Sequence, residues 1–181
     1  MPEPLIHFIV PFSVLIMCGI GVKKATLFAS LAILPDLDVL FHIYRSFSHS
    51  IFFILLFCVP VIAIAAVKHS KMTTDAIIAT LVILSHPFMD LFTYFTPIFW
   101  PLYNNAIYMV AEMTTNMDNV SQVNLLLEIK LEPVMFYHTV SINAPIFTSQ
   151  GVAATLVILI GLILRYFFVQ KREVYRTVWR N

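Results

Sequence analysis

Apolar residues run through this chain in long blocks, and the short polar breaks between them carry most of its charge. The first block is Leu5 to Ile20, extending to Val22 before Lys23 and Lys24 interrupt it. The segment MPEP ahead of it holds no basic residue and no small-residue cleavage pattern follows, so the block is expected to be retained as a membrane helix. A second block, Ala25 to Leu34, stops at Pro35, where a helix breaks or turns. The third, Ile51 to Val67, is entered through His49 and carries Pro60 as a tolerated kink. The fourth runs from Ala76 to Trp100, longer than the roughly 20 residues one crossing needs, with bends expected at Pro87 and Pro97. Gly151 to Val169 is the last, followed by the basic tail KREVYRTVWR. The pattern predicts an all-α, polytopic integral membrane helical bundle of about five transmembrane helices.

The stretch from Tyr103 to Gln150 is different, being rich in Asn, Ser and Thr, with an amphipathic helix expected near 123–137. The chain therefore divides into a four-helix transmembrane core (1–103), an extracytoplasmic segment (104–150), and a last helix with its tail (151–181). Composition agrees with a membrane chain: 60% of the 181 residues are hydrophobic and 12% charged, where soluble domains carry about a quarter charged. Mean hydropathy is +0.87. The net charge of +1 says nothing about nucleic acid, but no basic patch of the density a nucleic-acid binder needs is present, and no nucleic-acid partner is expected. Cys18 and Cys58 sit inside apolar blocks and read as small hydrophobes.

Charge also orients the spans. Lys23/Lys24, Lys68/Lys71 and the tail residues Lys171, Arg172, Arg176 and Arg180 follow alternate spans and so share one face. The positive-inside rule makes that face cytoplasmic. The N-terminus is then outside and the C-terminus cytoplasmic, with Arg45 and Lys130 the only basic residues of the outer connections.

This topology brings the polar residues of the apolar blocks to one side of the membrane. His7 lies at the outer end of the first span, Asp36 and Asp38 at that of the second, His49 at the start of the third, and His86 and Asp90 in the outer half of the fourth. Carboxylates and imidazoles are costly near lipid unless something offsets their desolvation, and a bound cation does so. His86 and Asp90 are four apart and share a helix face. Asp36 and Asp38 are two apart, so an extended or turning backbone points both the same way. The candidate metal ligands are His7, Asp36, Asp38, His49, His86 and Asp90. Nitrogen and oxygen donors without thiolate suit a divalent metal, zinc first, with manganese or iron as alternatives. Three histidines and three aspartates have capacity for two ions, which at about 3.5–4 Å apart clamp a phosphate. Arg45 and Asp38 are the candidate catalytic residues, Arg45 as a planar fork on a non-bridging phosphate oxygen.

Four pieces of sequence together resemble the YdjM family of membrane-bound metal-dependent hydrolases: His7, Pro35-Asp36-Leu37-Asp38, Arg45-Ser46-Phe47-Ser48-His49-Ser50 and Ser85-His86-Pro87-Phe88-Met89-Asp90. The resemblance covers residues 1 to 103. It implies hydrolase activity and a distant relation to zinc-dependent phospholipase C and zinc nucleases, which cleave phosphoesters at clustered His/Asp zinc sites. One departure is that members often carry glycine shortly after the last Asp, where this chain reads Thr93-Tyr94-Phe95-Thr96.

The expected function is cleavage of a phosphoester in a lipid or lipid-linked substrate at the outer interface of the cell membrane, with no nucleic-acid partner. Lipid is inferred from the depth of the site. A non-catalytic metal-binding protein that regulates or assembles partners is the alternative. A metal transporter is disfavoured, because the inner halves of the spans look apolar. His42 is read as a surface or supporting residue, His138 as a further ligand only if the outer segment folds over the site, and His69 as solvated on the opposite face.

Overall fold

The computed structural model describes residues 4–41, 45–68, 70–116, 119–136 and 147–178. The first helix, α1 (Pro4–Met17), ends in a turn in which the Ile20 N–H returns to the Leu15 carbonyl. Gly19 takes φ +84° there, a conformation glycine adopts without the Cβ penalty of other residues. Helix α2 (Val22–Ser30) then runs straight into a 3-10 helix, Leu31–Phe41. Eleven residues is long for 3-10 geometry, which rarely exceeds three or four. A second 3-10 turn, Phe47–His49, leads into α3 (Ile51–Lys68), and α4 (Ser70–Asp90) returns alongside α3.

After α4 the chain turns irregularly and is pinned to the start of α3: the Ile51 N–H bonds the Ile98 carbonyl and the Ser50 hydroxyl donates to the Trp100 carbonyl. An antiparallel hairpin follows, β1 (Asn105–Asn116) paired with β2 (Asn119–Pro133). Helix α5 (Ser149–Val178) packs on α1, where the Arg165 guanidinium donates to the Met17 carbonyl. The apolar core sits where α1, α2, the 3-10 helix and α4 meet, around Leu15, Ala25, Phe28, Ala32 and Val82. Ala25 and Ala32 are small enough for the backbones to approach closely, as helices must where lipid offers no hydrophobic drive.

Two expectations are corrected. The chain is mostly helical but not all-α: the segment expected to hold an amphipathic helix near 123–137 forms strand β2 instead. Its Leu, Glu and Lys favour a helix in isolation, yet Leu127, Ile129 and Leu131 alternate with Glu128, Lys130 and Glu132 and find partners along β1. The count of about five crossing helices is not supported either. Among the described residues, three segments, Ile51–Lys68, Lys71–Asp90 and Ser149–Tyr166, are long and apolar enough to cross. Helix α1 has 14 residues, about 21 Å at 1.5 Å per residue, short of a hydrocarbon core of about 30 Å. The second expected span is nine residues of α-helix and eleven of 3-10 helix. The fourth ends at Asp90, not near Trp100.

Candidate metal centre

Four chain segments converge at the end of the bundle that carries the hairpin. His86 and Asp90 project from one face of the last turns of α4, beside Pro87. Pro87 has no N–H to give the Ile83 carbonyl, which loosens the helix next to His86. His86 Nδ1 donates to the Ala32 carbonyl at 2.7 Å. A carbonyl can only accept, so the proton is on Nδ1 and the Nε2 lone pair faces the site. The same bond ties α4 to the 3-10 helix.

That 3-10 helix separates the two neighbouring aspartates. At three residues per turn, positions two apart lie about two-thirds of a turn apart. Asp36 and Asp38 accordingly point to opposite edges of one ring, not in a common direction. Asp36 Oδ1 is 3.6 Å from His49 Nε2, while Asp38 Oδ2 is 3.4 Å from His49 Nδ1. Asp38 is held in turn by the Ser46 N–H at 2.7 Å and the Ser48 hydroxyl at 3.1 Å. Ser46 caps the short turn that carries His49 by accepting from the Ser48 N–H.

The ligand atoms face one another. His49 Nε2 and His86 Nε2 are 3.2 Å apart. Asp36 Oδ1 lies 3.3 Å from His86 Nε2, and Asp90 Oδ2 lies 3.2 Å from His49 Nε2 and 3.6 Å from His86 Nε2. Asp36, His49, His86 and Asp90 each offer one atom within 4.8 Å of all the others, and all four residues are buried. Among the described residues, the carboxylate oxygens of Asp36 and Asp90 have no hydrogen-bond partner, only these looser contacts. Bonds of about 2.0–2.1 Å arranged tetrahedrally put ligand atoms about 3.3 Å apart. The five separations that involve an imidazole, 3.2–3.6 Å, lie around that edge, and the two carboxylate oxygens are within 4.8 Å, so the residues present fit a small divalent ion bound by two imidazoles and two carboxylates. Such mixed donors do not select one metal among zinc, manganese and iron.

His7, from α1, is fully buried and stacks on the His86 ring with centroids 3.8 Å apart. Its Nε2 lies 3.4 Å from Asp90 Oδ1, the oxygen turned away from the four-atom cluster. Neither of its nitrogens has a hydrogen-bond partner among the described residues.

Arg45 sits at φ +48°, a backbone conformation few non-glycine residues adopt and one that clusters at functional sites. Its guanidinium is 3.1 Å from Asp90 Oδ1 and donates at 2.8 Å to each of the Thr93 and Thr96 hydroxyls. The stretch where the chain departs from its resemblance, Thr93 to Thr96, is thus what grips Arg45. Sequence reasoning did not single out Thr93, Thr96, Ser46, Ser48 or the Ala32 carbonyl as supporting groups. The serines flank His49 inside the quoted motif, but hydroxyls and carbonyls at a distance leave no spacing signal. Arg45 also borders a cavity of about 470 Å³ between the α4 end and the hairpin, walled by Tyr94, Phe95, Ala106 and Phe136.

Burial alone would raise the Asp38 carboxyl, but hydrogen bonds from His49 and Ser46 hold it below the usual carboxylate range. Burial would lower the His49 imidazole; Asp36, Asp38 and Asp90 around it prevail and push it up to about 10. The pocket is therefore strongly cation-seeking. His42, His69 and His138 lie outside the described residues.

Nothing among curated proteins or solved structures matches the chain. The sequence model of one family, described as YdjM inner membrane protein, matches residues 5–174. That span takes in all the ligand-bearing segments and reaches beyond residue 103 through the hairpin and most of α5. With a buried His/Asp cluster set among apolar helices, and a match over nearly its whole length, the chain belongs to the YdjM inner membrane protein family.

Proposed function

We propose that the protein is a membrane-bound metal-dependent hydrolase that cleaves a phosphoester of a lipid or lipid-linked substrate. The observation that carries this reading is the buried set of Asp36, His49, His86 and Asp90, each offering one atom within 4.8 Å of the others, joined through Arg45 to a cavity of ligand size. When bound, a divalent ion supplies Lewis acidity and water activated near neutral pH. The protein's own groups do the remainder. Asp38 fixes the orientation of His49 through Nδ1, and the Ala32 carbonyl does the same for His86. Arg45 fastens one oxygen of Asp90 and lends positive charge to the cavity wall where a phosphate would enter. His7, beside the Asp90 oxygen that Arg45 also holds, is the further donor a second ion would take.

The basic residues support an orientation. Lys23, Lys24 and Lys68 lie at the helix ends away from the cluster, and Arg165, in the middle of α5, reaches Met17 at the end of α1. By the positive-inside rule that end is cytoplasmic and the metal centre faces the extracytoplasmic side.

A specific observation favours a second reading. The cluster offers four protein ligands, as many as a tetrahedral ion takes, and Arg45 already donates to Thr93 and Thr96. A closed site of this kind holds metal without turnover, and the protein would then regulate or assemble partners. The test is elemental analysis of protein purified without chelator, followed by assays on bis(p-nitrophenyl) phosphate and on phospholipid vesicles. Bound metal with cleavage supports the hydrolase, and loss of both in Asp36→Ala and His86→Ala supports the site. Bound metal with no cleavage of either substrate favours the second reading. Wild-type metal content and turnover in both variants would refute the site.

A further inference from the structure

We infer that one face of the β1–β2 hairpin rests on the lipid bilayer, as an amphipathic ribbon at the boundary between headgroups and acyl chains. In an antiparallel pair, directly opposed residues project to the same side. Met109 opposes Ile129, Ala111 opposes Leu127 and Met113 opposes Leu125, so one face is a continuous apolar strip. Its outer part is open: Met113 is 75% exposed and Leu127 71%. The other face is mixed: Glu132, Lys130 and Glu128 of β2 lie opposite Ala106, Tyr108 and Val110, and Leu126 beyond them lies opposite Glu112. Near the base this second face turns toward the protein, with Ala106 and Val110 buried.

An isolated two-stranded ribbon is marginally stable in water, and an apolar strip of this length demands a cover. The fold indicates which one. The Met109 N–H bonds the Leu91 carbonyl, one residue beyond the end of α4, and Ile107 bridges Thr96. The ribbon is therefore rooted at the end of a helix long and apolar enough to cross the membrane, at the level of the bilayer surface. That end of the helix also exposes large apolar side chains, Phe88 and Phe92 among them. The hairpin's depth is bounded from the other side as well. A two-stranded ribbon keeps unpaired peptide groups along both outer edges, and open sheet edges do not occur within hydrocarbon. The apolar face thus meets the acyl boundary while the edges and the Glu128/Lys130 face stay hydrated. This inference does not depend on whether the metal centre turns over.

The test uses the full chain carrying Cys18→Ser and Cys58→Ser, reconstituted in phosphatidylcholine vesicles. A nitroxide is attached in turn at Leu127→Cys, Ile129→Cys, Glu128→Cys and Lys130→Cys. Labels at 127 and 129 are expected to be open to oxygen and shielded from a water-soluble nickel chelate, with the reverse at 128 and 130. Equal nickel access at all four overturns the inference. Shielding accompanied by spin–spin broadening that vanishes on dilution with unlabelled chain points to a second copy as the cover, and overturns it too. A measurement free of substitutions uses phosphatidylcholine with a photoreactive group midway along its acyl chain. Adducts are expected on the unsubstituted hairpin as well as on α3; adducts on α3 alone overturn the inference.

Discussion

At His49 two carboxylates meet one imidazole from opposite edges, Asp36 at Nε2 and Asp38 at Nδ1. The two aspartates therefore have different work, although they stand two apart in sequence. Asp38 touches the ring from the side away from the cluster, where it orients the donor and raises its basicity. Asp38→Asn is expected to keep the metal site but weaken it about 10–100-fold, measured by competition with a chromogenic chelator. Loss as complete as in Asp36→Ala would instead make Asp38 a direct ligand. The proton on His49 makes a second prediction. In metal-free protein its pKa is raised to about 10, so at neutral pH metal must displace that proton from the ring. Apparent affinity should then rise with pH, by about tenfold per unit for the one proton released, and level off near 10. Because the pKa is raised in the fold, the stability that protonated His49 lends the metal-free protein is fully present below the ordinary histidine range. It is lost as pH climbs through the raised value. Proton release followed in weak buffer during titration checks the sign.

Among the elements, the long 3-10 helix and the two connections around it decide the site. A continuous α-helix through Leu31–Phe41 would turn Asp36 and Asp38 about 200° apart, and an extended strand would bring them to one face. The 3-10 winding instead sets them on either side of His49. The turn before this element depends on Gly19 at φ +84°. No atom stands within 4 Å of a Cβ built there, so Gly19→Ala tests conformation without a clash. It should cost about 1 kcal/mol, seen as a lowered thermal midpoint in detergent with metal content retained. The hairpin is the element sequence reasoning misread. Leu-Leu-Leu-Glu-Ile-Lys-Leu-Glu has the composition of a helix, but its period-2 alternation was present, and pairing with β1 made that period decisive.

For the whole molecule, a buried cluster of charges links metal to stability. Asp36 and Asp90 are buried with oxygens that find no hydrogen bond among the described residues, and without metal their charge is offset only by Arg45 and the neighbouring imidazoles. An ion that binds only the folded chain stabilises it by about 2.7 kcal/mol at a free concentration a hundred times its Kd. Chelation should therefore lower the thermal midpoint, and readdition of zinc or manganese should restore it. A midpoint indifferent to chelator would mean that His49 and Arg45 already balance the carboxylates. The proposed orientation is checked separately: reporter fusions after Lys68 and after Val178 should both report the cytoplasm.

The amino-acid sequence by itself determined that this is a membrane protein of the YdjM kind and which side chains were candidates for chemistry. Polar groups in an apolar chain are costly, and those that remain stand out against it. Only the tertiary structure decided how they divide: a four-atom cluster, His7 beside it, Asp38 behind His49, and Arg45 on Asp90. Among the described residues it also gives three helices long and apolar enough to cross alone, and a two-stranded ribbon between the last two of them. Those outcomes depend on the local winding of the backbone and on cross-strand register. Both are set by contacts between residues far apart in the chain, which no single stretch of sequence contains.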